Sequence, residues 1–356
     1  MGSFIRYFFL IFPTLLIGFE PHPVTPYPVV GYDEVPFFDE AHQMSRDLLI
    51  WFPVDSQIEG VASKNPWDVF NVAIRAPFKT SEAKVPVIVI SHGTGGTPHQ
   101  LSWLIRQLVY SGYIVIGVKH LDISINWERP QDISTILDKF SSHSMANHAN
   151  LNQIGIAGFS LGGTTAISLA GAQATKLDSI LPTSKDADPK EFSSIEAALP
   201  SLNKEMMTKN WYDPRIKAAF IMAPSWGWIF DEKNLRNISI STYIIASSAD
   251  NVLVTQNNAG FFARNIPKSI YQEISGKASH YVFISALNEK QQQKLNLPPE
   301  LKFLIEDNVS VDRAWIQSEV SQEATRFFNS VFNNQTEPLS GAGILHLMVN
   351  SIGVTQ

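Results

Sequence analysis

Three short stretches of this sequence carry side chains that could act together on an acyl group. The first is Gly158-Phe159-Ser160-Leu161-Gly162, a G-x-S-x-G run. It joins a strand-like segment, Ile154 to Ala157, to a helix-like segment rich in small residues, Leu161 to Ala172. A sharp strand-to-helix turn of this kind holds its serine in strained backbone angles and lifts the hydroxyl into the open at a helix N-terminus. The flanking glycines have a steric reason, since larger side chains there would collide. A glycine-rich turn with an idle serine is the bland reading. The strand before it and the helix after it favour a nucleophile.

The second stretch is Ser91-His92-Gly93-Thr94-Gly95-Gly96, directly after the apolar run Val85 to Ile90. Acyl transfer develops negative charge on a carbonyl oxygen, and preorganised backbone N–H groups can hold that charge. One donor is expected from the amide of Leu161, just after the serine, and the other from this loop, at Thr94. A phosphate-cradling loop is the competing reading. It fails because neither G-x-x-x-x-G-K-[ST] nor G-x-G-x-x-G is met. His92 is expected to be a buried, loop-bracing histidine.

The third stretch supplies a base and an acid. A serine hydroxyl becomes a good nucleophile when a histidine takes its proton, and a carboxylate orients that histidine. On such an elbow the chain order is serine, acid, histidine. His280 is the first histidine after Ser160, and only His346 lies beyond it, in the apolar stretch GILHLMV. Asp250 follows the strand-like TYIIA, at the strand end where open α/β sheets place working residues. Asp213 precedes its strand and Asp231 lies well into a loop, so Asp250 is the favoured acid. His143 and His148 do not fall on one helical face, and no H-E-x-x-H occurs, so no metal site is expected.

The elements that must position these groups follow an α/β rhythm. Strand-like runs are Leu48–Phe52, Val69–Ile74, Val85–Ile90, Tyr113–Val118, Ile154–Ala157, Lys217–Met222, Thr242–Ala246 and Ser269–Ile274. Helix-like runs are Pro98–Tyr110, Pro130–Phe140 and Leu161–Ala172. Alternation at this spacing implies a mainly parallel sheet flanked by helices, with the first two strands antiparallel near one edge. Residues 174–213 interrupt it, as an insertion before the sixth strand that is either a lid or a surface excursion. The apolar cluster Trp226, Trp228, Ile229 and Phe230 follows a strand end. It is a candidate substrate pocket through Trp226, Trp228 and Phe230, or else loop packing.

The chain has 356 residues, 44% hydrophobic and 17% charged, and a net charge of -6, with no basic stripe to suggest nucleic acid. It has no cysteine, which excludes disulfides, thiolate metal sites and a cysteine nucleophile. Tyr7 to Phe19 is an apolar run behind Arg6, interrupted by Pro13 and short for a transmembrane span. It is expected to be a signal peptide for export, with an N-terminal anchor as the alternative. The expected organisation is therefore 1–19 signal or anchor, 20–46 extended linker, 47–333 catalytic domain and 334–356 C-terminal tail.

Over roughly residues 47–332 the chain resembles the α/β-hydrolases, and within them two groups. VPVIVISHGTGGTPHQLSWLIRQLVYSGYIVIGVKHLD looks like the corresponding segment of platelet-activating-factor acetylhydrolases. WERPQDISTILD, GFSLGG, DPRIKAAFIMAP, ASHYVF and VDRAWIQSEVSQEATRFF are similar to bacterial predicted dienelactone hydrolases. The resemblance implies an α/β-hydrolase fold, a Ser160–Asp250–His280 triad, and Thr94 and Leu161 as oxyanion donors. Two departures limit it. The eukaryotic acetylhydrolases carry their acid after the preceding strand, near Ala223 here, where no carboxylate stands. Dienelactone hydrolases proper use a cysteine.

The function expected is a serine carboxylic ester hydrolase that works through an acyl-enzyme on short-chain or lipid-like esters. It needs no cofactor, no nucleic acid and no obligate protein partner. A non-catalytic binding module, or a serine peptidase or acyltransferase of the same fold, is the alternative.

Overall fold

The computed structural model describes residues 29–79, 81, 83–121, 128–176 and 204–333. The expected signal or anchor segment, residues 20–28 of the expected linker, the C-terminal tail with His346, and most of the 174–213 insertion lie outside them. Among the described residues no helix is long and apolar enough to cross a membrane.

Among the described residues ten strands form one sheet in the order β10-β9-β8-β7-β5-β6-β2-β1-β4-β3. They are β1 (Val29–Asp39), β2 (Met44–Phe52), β3 (Val61–Ala62), β4 (Asn71–Ile74), β5 (Val85–Ser91), β6 (Ile114–Gly117), β7 (Ala149–Phe159), β8 (Ile216–Met222), β9 (Ser241–Ser247) and β10 (Ser269–Ile274). From β6 to β10 across the sheet every neighbouring pair is parallel. β2 runs antiparallel to β6 and β1, and β4 pairs parallel with β1 and antiparallel with β3.

The central strands read as unbroken apolar runs because both of their faces are covered. Val87 to Ile90 and Ile114 to Ile116 have no exposed surface. The main helices are α1 (Ser102–Tyr110), α2 (Arg129–Ser141), α3 (Leu161–Leu169), α4 (Ala259–Asn265) and α5 (Arg313–Phe332). α1 packs on α5, α2 packs on α3, and α4 lies against β9 and β10. A methyl added at Gly155 would meet Phe328 of α5, whereas one at Gly158 would meet Gly162 of α3. An odd separation along a strand points to opposite faces, so α5 and α3 cover opposite sides of β7.

Two expectations are corrected here. Residues 29–46 are not linker: β1 and the start of β2 occupy most of them and pair along Gly31–Asp39 and Met44–Phe52. The acidic, proline-bearing sequence VVGYDEVPFFD hides the strand. It is tolerated because β4 pairs only with Val29–Tyr32, which leaves the second edge open at Pro36. With β1 and β3 counted, the strand after the insertion is the eighth in chain order rather than the sixth. The described part of the insertion is residues 174–176, a short helix, Lys204–Thr208, and the lead into β8.

The order of connections creates the working crevice. The chain leaves β5 to form β6 on one side, then returns to place β7 on β5's other side. The strand ends flanking such a reversal are where open α/β sheets put their sites. The loop 92–96 follows β5, and Ser160 follows β7.

Candidate active site

Ser160 sits between β7 and α3 with φ 55° and ψ −121°, a region that non-glycine residues avoid. Its N–H still donates to the Met222 carbonyl at 2.9 Å, as if the β7–β8 ladder ran one residue further. The turn is possible only because Gly158 and Gly162, two residues to either side, lack side chains. A Cβ at Gly158 would lie 2.2 Å from the Gly162 oxygen, and one at Gly162 would lie 2.0 Å from the Ser91 oxygen. The strain at Ser160 is thus held by backbone packed against backbone on both sides.

His280 opens a short 3-10 turn after β10, and Asp250 lies in the loop after β9. His280 Nε2 is 3.0 Å from Ser160 Oγ, and His280 Nδ1 is 2.7 Å from Asp250 Oδ2. The Asp250 and His280 side chains are 2% and 3% exposed, so their hydrogen bond is shielded from water. Asp250 Oδ1 accepts the N–H groups of Val252 and Leu253 at 2.9 and 2.8 Å, which fixes the carboxylate's rotation. The two loops are also tied to each other. Ser247 Oγ donates to the Ala278 carbonyl, and the His280 N–H donates to Asn251 Oδ1. A carboxylate oxygen accepts the hydrogen bond from Nδ1–H, which leaves Nε2 as an acceptor facing the serine hydroxyl. The Phe159 ring packs against the imidazole, with ring centres 4.9 Å apart.

The loop after β5 reaches the same point. A Cβ at Gly93 would stand 3.5 Å from Ser160 Cβ. Leu161 is the first residue of α3, where no intrahelical acceptor exists for its N–H. Thr94 is exposed at the loop's crest, in a turn closed by a bond from the Gly96 N–H to the Gly93 carbonyl. Gly95 takes φ +66° there, and a Cβ on it would meet nothing within 4 Å.

A strand–elbow–helix, a glycine loop and an Asp–His pair at one sheet edge invite comparison with known proteins. The family model of platelet-activating factor acetylhydrolase, isoform II, matches residues 68–132, which hold β4, β5, the glycine loop, α1, β6 and the start of α2. A ferulic acid esterase from Streptomyces cinnamoneus matches with TM-score 0.59 at 16% identity, covering 90% of this chain and 95% of its own. No curated protein matches the chain. The fold is that of an α/β-hydrolase. Both resemblances are to ester hydrolases.

Within this fold the rival acids have other partners. Asp213 lies before β8 and binds Arg215 and Ser134. Asp231 caps the helix Glu232–Leu235 and accepts from Thr175. His143 accepts the Met145 N–H, and His148 stacks on Phe78. The aromatic cluster after β8 is corrected in part. Phe230 is wholly buried, edge-on to Phe262 of α4, so it belongs to the core and cannot line an open pocket. Trp226 is 6% exposed and packs against Trp228, which is half-buried.

His92 is fully buried, as expected, but it belongs to a larger polar network the sequence did not reveal. His120 Nε2 pairs with Ser91 Oγ at 3.0 Å, and its Nδ1 pairs with Asp132 Oδ2 at 2.7 Å. Arg46 Nη1 bridges Asp132 and Asp39 at 2.6 and 2.5 Å. Asp39, His42 and Asp132 bring ligand-type atoms within 4.8 Å of one another, but the Arg46 cation already spans the two carboxylates. Burial alone would raise the Asp132 pKa. The hydrogen bonds from His120 and Arg46 outweigh it and hold the carboxyl below its ordinary value. The available signal was KHLD directly after a strand and Arg129 at a helix start, too common a pattern to single out.

Proposed function

We propose that this chain is a serine carboxylic ester hydrolase acting through an acyl-enzyme intermediate on short-chain or lipid-like esters. The single observation carrying this reading is the continuous relay Ser160 Oγ–His280 Nε2 at 3.0 Å and His280 Nδ1–Asp250 Oδ2 at 2.7 Å. The acetylhydrolase family match over the glycine-loop region supports an ester as substrate.

In this reading Ser160 Oγ attacks the ester carbonyl carbon while His280 Nε2 takes the hydroxyl proton. The resulting oxyanion accepts hydrogen bonds from the Leu161 and Thr94 amides. Collapse of the tetrahedral intermediate breaks the bond to the alkoxy oxygen, which leaves as alcohol with the proton from His280. Water then repeats the sequence on the acyl-serine, giving its proton to His280 and releasing the carboxylic acid. Asp250 stays ionised and stabilises the imidazolium in both halves.

The test is turnover of p-nitrophenyl acetate by the wild-type chain and by Ser160→Ala. Loss of the nucleophile is expected to cut kcat by about 10⁶-fold. A fluorophosphonate probe is expected to add its mass at Ser160 alone. Full turnover by the alanine variant sinks the reading.

A further inference from the structure

The polar network behind the glycine loop has a direct consequence for the oxyanion site. Arg129, the first residue of α2, is 4% exposed and aims its guanidinium at the loop's backbone. Nη1 donates to the His92 carbonyl at 2.6 Å and Nη2 to the Gly93 carbonyl at 3.2 Å. The Gly93 carbonyl has two further donors, His92 Nδ1 at 2.7 Å and the Gly96 N–H at 3.2 Å.

The His92 ring is itself fixed. The His120 N–H donates to His92 Nε2 at 2.9 Å, so that nitrogen carries no proton and Nδ1 does. Burial also pushes the His92 pKa well below the ordinary histidine range, in keeping with a neutral ring. His120 is anchored in turn by Asp132.

A peptide unit is planar and trans, so its C=O and N–H point in opposite directions. No cis peptide occurs among the described residues. Holding the Gly93 oxygen towards Arg129 and His92 therefore turns the Thr94 N–H the other way. We infer that Arg129 is a positioning residue for the oxyanion site, pinning the Gly93 carbonyl with His92 so that the Thr94 N–H faces the reacting carbonyl. Arg129 touches no substrate. It acts through one peptide plane, and the inference rests on the hydrolase reading above.

Arg129→Gln and Arg129→Lys test it in the full-length chain, with p-nitrophenyl acetate as substrate. A trifluoromethyl ketone serves as inhibitor, because its adduct with Ser160 carries a tetrahedral alkoxide. Loss of one oxyanion donor costs about 10²- to 10³-fold in kcat, so Arg129→Gln is expected to fall towards that range with KM within about threefold. Ketone affinity should fall in step. Arg129→Lys keeps the charge and one donor and is expected to recover part of both. A general loosening of the fold would not produce this paired loss with KM spared.

If Arg129→Gln does not fold, Arg129→Lys carries the measurement. Unchanged kcat and ketone affinity in the folded variants overturn the inference, as does a loss confined to KM. The Ser160→Ala arm separates the two failures. Turnover that survives it defeats the hydrolase reading itself, whereas a dead Ser160→Ala beside undiminished Arg129 variants defeats only the positioning role.

Discussion

Asp250→Asn isolates the tautomer of His280 with little change in shape. The Asp250 Oδ1 atom accepts two backbone N–H groups, from Val252 and Leu253. An asparagine must keep its carbonyl oxygen there, because an NH₂ group would face two donors. Its NH₂ is then directed at His280 Nδ1, where the carboxylate oxygen stood at 2.7 Å. To accept that bond, His280 must move its proton to Nε2, which then points at Ser160 Oγ and cannot act as a base. The same exchange in known Ser–His–Asp sites lowers kcat about 10⁴-fold, or about 5 kcal/mol at about 1.36 kcal/mol per decade. Because both backbone bonds survive, stability should change by only about 1–2 kcal/mol, far less than the barrier.

Steady-state kcat on p-nitrophenyl acetate, with thermal unfolding of the same preparation, measures both quantities. Asp213→Asn and Asp231→Asn are the controls and should keep wild-type kcat, since Asp213 serves Arg215 and Asp231 caps a helix. A folded Asp250→Asn that keeps more than a tenth of wild-type kcat would refute the tautomer argument.

Two further outcomes follow from the packing and the buried charges. Gly162→Ala places a methyl 2.0 Å from the Ser91 oxygen and 2.7 Å from the His92 oxygen, both of them backbone. It should cost about 1–3 kcal/mol in urea unfolding and lower kcat by displacing the glycine loop, whereas a variant with wild-type values would show that the elbow is loosely packed. Asp132, whose folded pKa lies below the ordinary carboxyl value of about 3.9, contributes stability that is whole above that pH and lost as pH falls through the folded value. The urea midpoint should therefore drop below about pH 4, less steeply in Asp132→Asn; identical acid profiles for the two proteins would contradict this.

Much of the site was legible in the sequence because its chemistry is local. A serine between glycines at a strand-to-helix junction and a glycine run after an apolar strand each state their reason within a few residues. At Gly158 and Gly162 the structure shows that reason as Cβ positions that overlap backbone. Chain order after Ser160 narrowed the histidine to His280 and favoured Asp250. The central parallel strands were equally plain, since burial on both faces leaves only apolar residues. β1 was not. Its pattern is interrupted by Pro36 and acidic residues, and its pairing depends on partners, Met44–Phe52 and Asn71–Ile74, that no local pattern specifies.

Tertiary structure alone decided which polar side chains share a buried network and which aromatics are core. Phe230 and Trp228 are alike in sequence context, yet only Phe230 is sealed by Phe262, because that depends on where α4 lands. Arg46, His120, Arg129 and Asp132 come from β2, the loop after β6 and α2. Hydrogen bonds between them act over about 3 Å, whereas sequence patterning reports only whether a position faces water or core. The candidate nucleophile, Ser160, was marked by local pattern in the chain; the arginine that binds the Gly93 carbonyl arrives from another element.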